Sequence, residues 1–293
     1  MRVFITGGTG LIGSAVVPEL LGNGHTVLAL ARSDASALDA EAAGADALRG
    51  SLTDLDVLRA GVAQSDGVIH LAFANDFSSL EALRKGIADE SGALATLGEE
   101  LVGSDRPFVT VSGTPLVPGR ASTEADPLPT EGPIGDRSRA VTAVLGLASR
   151  GVRSTAVRMP RTVHNQGTGG FAGLLTDIAR RNGVSGVPGD GAQRWPAVHA
   201  LDAAVLFRIA LERAGAGSAW HAVADEGDKV RDIAAVIGRR LGVPVESVPE
   251  ETYGGLGPIF SMDQPSSSTH TRQALGWEPK QPSLLEDLEN IEP

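Results

Sequence analysis

The chain has 293 residues, 42% of them hydrophobic and 4% aromatic, with no cysteine and a formal net charge of −11. That is enough for one large or two modest cores. It excludes disulfides, thiolate catalysis and cysteine-bound metal, and it argues against general affinity for nucleic acid or an anionic membrane.

In chain order, the apolar run Val3-Phe4-Ile5 reads as a strand, and Ser14 to Leu21 as an amphipathic helix. Val27 to Ala31 is a second strand, and Ala47-Leu48 leading to Ser51 a short third. Gly67 to Ala72 is a fourth and Phe108 to Ser112 a fifth. Helical stretches separate them at Ala35 to Ala42, Leu55 to Ala63 and Leu80 to Leu101. Ser138 to Ser149 is helical, Thr155 to Arg158 a sixth strand, and Trp220 to Val223 a candidate seventh. Strands alternating with helices predict an α/β fold of the Rossmann type, a doubly wound parallel sheet covered on both faces. From Thr162 onward the alternation weakens. Phe171 to Arg181 is helical, 229 to 241 is helical with Ile233, Val236 and Ile237 on one face, and Pro249 to Ser268 is irregular. A short helix near Leu284 to Leu288 closes the chain. The expected division is a nucleotide-binding domain over 1–163, to which a strand near 218–224 returns, and a smaller interleaved substrate lobe over 164–293. Apolar runs are short and interrupted, so no membrane span is expected. No charged-then-apolar leader precedes the first strand, so a cytoplasmic protein is expected.

The stretch Thr6-Gly7-Gly8-Thr9-Gly10-Leu11-Ile12-Gly13 lies between the first strand and the first helix. Gly7 takes the tight turn. Gly10 leaves room for a pyrophosphate against the backbone, and Gly13 lets the helix pack close to the strand. The free amides of the first helical turn, from Leu11, Ile12 and Gly13, then face the phosphates. An NAD site usually has an acid at the end of the second strand, on the ribose 2′-hydroxyl. Here that strand ends Ala31-Arg32-Ser33, with no carboxylate until Asp34, and Arg32 stands 19 residues after Gly13. A guanidinium there pairs with a 2′-phosphate and Ser33 adds a hydroxyl, so the expected cofactor is NADP, as NADPH.

These residues resemble the extended and atypical branch of the short-chain dehydrogenase/reductase superfamily, which includes nucleotide-sugar epimerases and dehydratases. Residues 6–13 are close to its opening motif. Ser51-Leu52 stands where that family places an acidic-then-apolar pair against the adenine, with Ser51 departing from the acid. His70-Leu71-Ala72, continuing into Phe73 and Ala74, is similar to its strand-four motif beside the nicotinamide ribose. Arg158-Met159-Pro160 with Val163 is similar to the segment that cups the nicotinamide. Trp195 to His199 through Asp202 resembles a motif of its C-terminal lobe, and Leu275-Gly276-Trp277-Glu278-Pro279 its tail. The resemblance implies a small-molecule substrate and a homodimer formed through the helices at 80–101 and 138–149.

Catalysis in that family rests on a Ser or Thr after strand five and on Tyr-x-x-x-Lys in the next helix. Ser112 to Gly119 matches the first part and places Thr114 at the catalytic hydroxyl. The second part fails. Gly135 stands at the tyrosine and Arg139 at the lysine, and Tyr253 is the single tyrosine of the chain. Arg139 can hold a ribose hydroxyl but cannot relay a proton. A positioned general acid contributes about 10²- to 10⁴-fold, so its loss slows a reductase without abolishing it. His164, just after strand six, or a bound water is the expected replacement donor, with His164 also a substrate contact. His199 and Trp195 are candidate substrate residues as well. His164 and His199 lack the spacing of a metal pair, so no metal is expected. The loop Pro115 to Pro133, rich in proline, suits a substrate lid. The expected function is NADPH-dependent reduction of a small carbonyl or imine-type substrate. The alternatives are an NADP(H)-binding regulator without turnover, or an epimerase or dehydratase.

Overall fold

A computed structural model describes residues 1–74, 79–132 and 134–292; Pro133, the last residue of the expected lid, lies outside the described residues. The first half runs β1 (Arg2–Thr6), α1 (Gly13–Gly22), β2 (Thr26–Ala31), α2 (Asp34–Ala42), β3 (Asp46–Arg49), α3 (Leu55–Ala63), β4 (Gly67–His70), α4 (Leu80–Glu99), β5 (Pro107–Gly113), α5 (Gly135–Gly146) and β6 (Arg153–Met159). The second half continues β7 (Thr162–His164), α6 (Gly170–Asn182), β8 (Ser185–Pro188), β9 (Arg194–His199), α7 (Ala200–Arg213), β10 (Ser218–His221), β11 (Asp225–Lys229), α8 (Val230–Leu241) and β12 (Val245–Val248). It closes with α9 (Gly257–Phe260), α10 (Thr269–Leu275) and α11 (Leu284–Asp287).

The chain forms two compact units. The first comprises 1–112, 128–158 and 203–220; the second comprises 113–127, 159–202 and 221–293. Unit one is built on a seven-stranded sheet in the order β10-β6-β5-β4-β1-β2-β3. β1 pairs in parallel with β2 and β4, β2 with β3, and β4 with β5. Helical crossovers between parallel strands account for this, and the expected doubly wound α/β sheet is what forms. Side chains alternate across a strand. Phe4, Leu28, Val68 and Phe108 therefore share one face, buried under Leu58 and Val62 of α3, Leu94 and Leu97 of α4, and Val144 of α5. On the other face Ile5 lies against Val17 of α1 around Gly8. Arg208 of α7 is held there by Glu19 of α1 at 2.6 Å. The order reverses between β1 and β4, and such switch points are where open α/β sheets bind ligands.

Unit two has a three-stranded sheet, β11-β9-β7, and a β12-β8 pair. Its core gathers Trp195 of β9, Leu175 of α6, Ile233 and Ile237 of α8, Phe260, and Leu284, Leu288 and Ile291. The stretch expected to be irregular holds a 3₁₀ helix over Glu250–Leu256 followed by α9. Two sequence motifs meet here. Trp277 Nε1 donates to the Asp202 carbonyl at 3.0 Å, and the Asp202 carboxylate accepts from the amides of Lys280 and Gln281 at 2.8 and 2.9 Å. The tail is thereby stitched to the start of α7. The first part of the expected lid loop is also pinned. Ser122 Oγ donates to Ser266 Oγ, and Thr271 Oγ1 donates to Glu124 at 2.6 Å.

Candidate functional site

The glycine turn sits at the switch point of unit one. Gly7 has φ +74°, and a Cβ there would be 2.7 Å from the Ala72 nitrogen, so the turn after β1 and the segment after β4 touch backbone to backbone. A Cβ on Gly13 would meet the Gly7 carbonyl oxygen at 2.1 Å. A Cβ on Gly10 would have only that oxygen for a neighbour, at 3.5 Å. Two glycines thus serve packing and the third leaves open space. Helix α1 has no side-chain cap and no acid in its first turn. Among the described residues no carbonyl accepts from the amides of Leu11, Ile12 or Gly13. Unpartnered amides at a helix start, beside a gap where a side chain would be, fit a pyrophosphate.

At the end of β2 the Arg32 side chain is exposed, with no ion pair or hydrogen bond among the described residues. Asp34, which would compete for it, is instead held by Arg49 at 3.1 Å. Ser33 has another task as well: its hydroxyl accepts from the Ser36 amide and caps α2. Ser51 is likewise engaged, donating through N and Oγ to Asp54 at 2.7 and 2.9 Å, and those bonds draw the Asp54 carboxyl below the usual range. Leu52 packs against the unit-one core.

His70, fully buried at the end of β4, has Nδ1 2.9 Å from Thr6 Oγ1. Burial, helped by the charge of Arg137, lowers its pKa to about 3, so the ring is neutral. Phe73 lies under the Arg137 guanidinium, 4.3 Å from the ring centroid, and Arg137 is clamped by the buried Glu90 at 2.7 and 2.9 Å. Ala72 lies against Gly7 and Ala74 near Gly86 of α4.

Helix α5 turns Gly135, Ser138, Val141 and Val144 inward. Arg139 is exposed beside Gly135, bonded to Asp136 and to the Thr130 carbonyl. It lines a groove of about 870 Å³ with Leu80, Ile87, Ala143 and Leu147 of α4, α5 and the turn that follows. The guanidinium that reaches the post-β4 segment is therefore that of Arg137. Sequence alignment to a Tyr-x-x-x-Lys pattern misses it because Arg137 fits neither motif position.

In unit two Thr114 is held by its backbone: its amide donates to the Met159 carbonyl at 2.9 Å and its carbonyl accepts from Gln264 Nε2 at 2.6 Å. Its hydroxyl is buried with no partner among the described residues. Pro160 and Val163 are buried.

His164 is 1% exposed, with Nδ1 2.8 Å from Asp287 Oδ2. A carboxylate only accepts, so Nδ1 carries the hydrogen. Burial pushes the Asp287 carboxyl up, but the His164 bond and charge and the Gly167 amide outweigh it, and the net shift is downward. His199 sets its ring edge-on to His164 with centroids 5.3 Å apart, and its Nδ1 accepts from the Leu201 amide at 3.2 Å. Burial, then the charge of His164, lowers its pKa. Donor atoms of His164, His199 and Asp287 lie within 4.8 Å of one another. No spacing rule finds such a trio, because its carboxylate comes from the far end of the chain. Trp195 is 0% exposed and packs against Phe171 and Phe260, so its ring offers no surface to a ligand. Tyr253 is a core residue too, its hydroxyl raised to about 12 by burial.

Comparison with known proteins agrees with this fold. A profile of the NAD dependent epimerase/dehydratase family matches residues 3–223. An uncharacterised protein of Schizosaccharomyces pombe is 44% identical, over 98% of both chains. The 4-hydroxy-2-methyl-3-oxo-4-farnesyl-3,4-dihydroquinoline-1-oxide ketoreductase of Stigmatella aurantiaca is 25% identical, over 84% of this chain and 75% of its own. Among solved structures, the UDP-glucose 4-epimerase of Thermotoga maritima superposes with a TM-score of 0.78 at 22% identity, over 99% of this chain and 97% of that one. Described residues contain no helix long and apolar enough to cross a membrane. The chain belongs to the NAD-dependent epimerase/dehydratase family, within the short-chain dehydrogenase/reductase superfamily, and is an NAD(P)-dependent oxidoreductase of that kind.

Proposed function

We propose that the protein is an NADPH-dependent reductase of a small carbonyl compound. The observation that carries the cofactor choice is Arg32, an exposed guanidinium at the end of β2 whose nearest competitor, Asp34, is occupied by Arg49. It would pair with the 2′-phosphate, while the amides of Leu11, Ile12 and Gly13 take the pyrophosphate. Arg137, fixed by Glu90 over Phe73, supplies positive charge at the post-β4 segment. Bound NADPH supplies a hydride. The Thr114 hydroxyl, buried and without a partner, would donate to the substrate carbonyl oxygen and steady the charge that grows there. Tyr253 is shut in a core, His70 stays neutral, and His164 is committed to Asp287 through Nδ1. His164 keeps a buried, unpartnered Nε2, so that nitrogen or a water is the proton source, and a reductase without the family's tyrosine is expected to be slow. The ketoreductase among the relatives supports carbonyl reduction.

The test combines calorimetry with NADPH and NADH and an oxidation assay over ketones, aldehydes and imines. NADPH is expected to bind more tightly than NADH, and Arg32→Glu to weaken NADPH about 10- to 100-fold while sparing NADH, the magnitude of a charged hydrogen-bonded pair. Equal affinity for both cofactors, unmoved by Arg32→Glu, would refute the assignment. A regulator without turnover is the second reading. It is favoured by the inward side of α5, where Gly135 and Ser138 provide no acid, and it predicts NADPH binding with no substrate consumed.

A further inference from the structure

Arg161 follows β6 in unit two, and its guanidinium has no carboxylate partner among the described residues. Nη1 donates to the Ile259 carbonyl at 2.9 Å, Nη2 lies 3.2 Å from the Met262 sulfur, and the Phe171 ring centroid is 5.5 Å away. Nε is buried and unpartnered. The nearby acid, Asp263, is consumed by Arg194, which binds it through the backbone N, Nε and Nη2. Arg137 has Glu90, and Arg208 has Glu19 and Glu212. Among the described residues Arg106 and Arg153 also bond only carbonyls, and Arg161 differs from these two in its buried, unpartnered Nε beside a sulfur and an aromatic ring. Burial alone lowers Arg161 to about 10, with no neighbouring charge restoring it. A half-buried guanidinium without a counter-ion costs the fold stability. Tethering a loop through one carbonyl needs no cation.

Arg161 is also tied to Thr114. The Thr114 amide bonds to Met159, two residues before Arg161, and Gln264, two residues after Met262, bonds to the Thr114 carbonyl. Three bonds and two short steps along the chain, Thr114–Met159–Arg161–Met262–Gln264–Thr114, link the unpartnered hydroxyl and the cation within unit two.

We propose that Arg161 binds an oxyanion on the substrate, so that the substrate is an oxo acid or an oxo-phosphate whose carbonyl is held by Thr114. This rests on the reductase reading above and adds a substrate class to it. Three guanidinium hydrogens are left after the Ile259 and Met262 contacts: the one on Nε and one on each Nη. They match a planar or tetrahedral oxyanion. No covalent step is added: hydride reaches the carbonyl carbon, a proton its oxygen, and the anion leaves unchanged.

The test uses matched pairs in the NADPH assay: pyruvate against methyl pyruvate, acetoacetate against methyl acetoacetate, and dihydroxyacetone phosphate against dihydroxyacetone. Calorimetry with pyruvate and with inorganic phosphate, in the presence of NADP, runs alongside. Wild type is expected to favour the charged member by about tenfold or more in kcat/KM, mostly through KM. Arg161→Gln should erase that preference, bringing kcat/KM for the charged member down to that of the neutral one, and Arg161→Lys should restore part of it. The carboxylate and phosphate pairs tell the two anions apart. If neutral members are reduced as well as charged ones in wild type, the proposal falls and the reductase reading stands. If pyruvate or phosphate binds in an Arg161-dependent way but nothing turns over, the Arg161 oxyanion site stands, and the reductase reading falls together with the substrate class built on it. Should Arg161→Gln not fold, an unchanged charge preference in Arg161→Lys alone, with Tm intact, overturns it too, since a point charge cannot reproduce a guanidinium fork.

Discussion

A methyl group added at Gly13 would sit 2.1 Å from the Gly7 carbonyl oxygen, with backbone on both sides and nowhere to go. One added at Gly10 would point into open space. Gly13→Ala should therefore lose about 1–3 kcal/mol of stability from overpacking, read as a drop in Tm. Gly10→Ala should keep the wild-type Tm and lose NADPH affinity by about tenfold or more, since the methyl occupies the phosphate's place. A Gly10→Ala variant binding NADPH normally would mean the turn holds no pyrophosphate. Asp228 makes a second residue-scale case. Burial, then the charges of Asp225 and Asp232, raise its pKa to about 6. Between about pH 4 and 6 the folded chain holds this proton and the unfolded chain does not, so stability from this group falls as pH rises and stays low above 6. Asp228→Asn is accordingly expected to raise Tm at pH 7.5 and leave it unchanged near pH 4. A gain at pH 4 as large as that at pH 7.5 would contradict the assignment.

Helix α5 and the Trp277 tail illustrate what the elements add. Periodicity located α5 but not its facing. Motif spacing set Arg139 toward the ribose, whereas the helix turns it to the α4 side and leaves Arg137 at Phe73. Facing depends on which residues pack inward, here Ser138, Val141 and Val144, with Gly135 close against the Thr130 backbone, and that is a packing property. The tail motif was legible as a motif, and its cause is now plain: the Asp202 carboxylate caps two amides that would otherwise be orphaned. Asp202→Ala should cost about 1–3 kcal/mol per amide left unsatisfied, measured by denaturant unfolding of the whole chain. A loss below 0.5 kcal/mol, about the size of an ordinary surface change, would show that water satisfies them.

Over the whole molecule, unit one was readable because its strands are continuous apolar runs between helices, as Val3-Phe4-Ile5 and Val68-Ile69 are. Unit two was much less so. β11 reads Asp-Glu-Gly-Asp-Lys and β12 Val-Glu-Ser-Val, sequences with no strand signature, which take strand form only because β9 and β8 offer partners. Helix α7, with no counterpart among the expected elements, was masked at its start by the Trp195–Asp202 motif. The His164–Asp287 pair spans 123 positions, and no local pattern reports it.

The late segments of unit two have a consequence for the order in which the protein is made. Trp195, Phe171 and Phe260 emerge during translation well before Leu284, Leu288 and Ile291, which close one side of the same core. Until those residues arrive, the nascent polypeptide carries an aromatic cluster with an open flank, and Asp202 waits for Trp277. Vectorial synthesis thus leaves a window, after unit one has gained its last strand at His221, in which unit two is still open and chaperone capture competes with its completion.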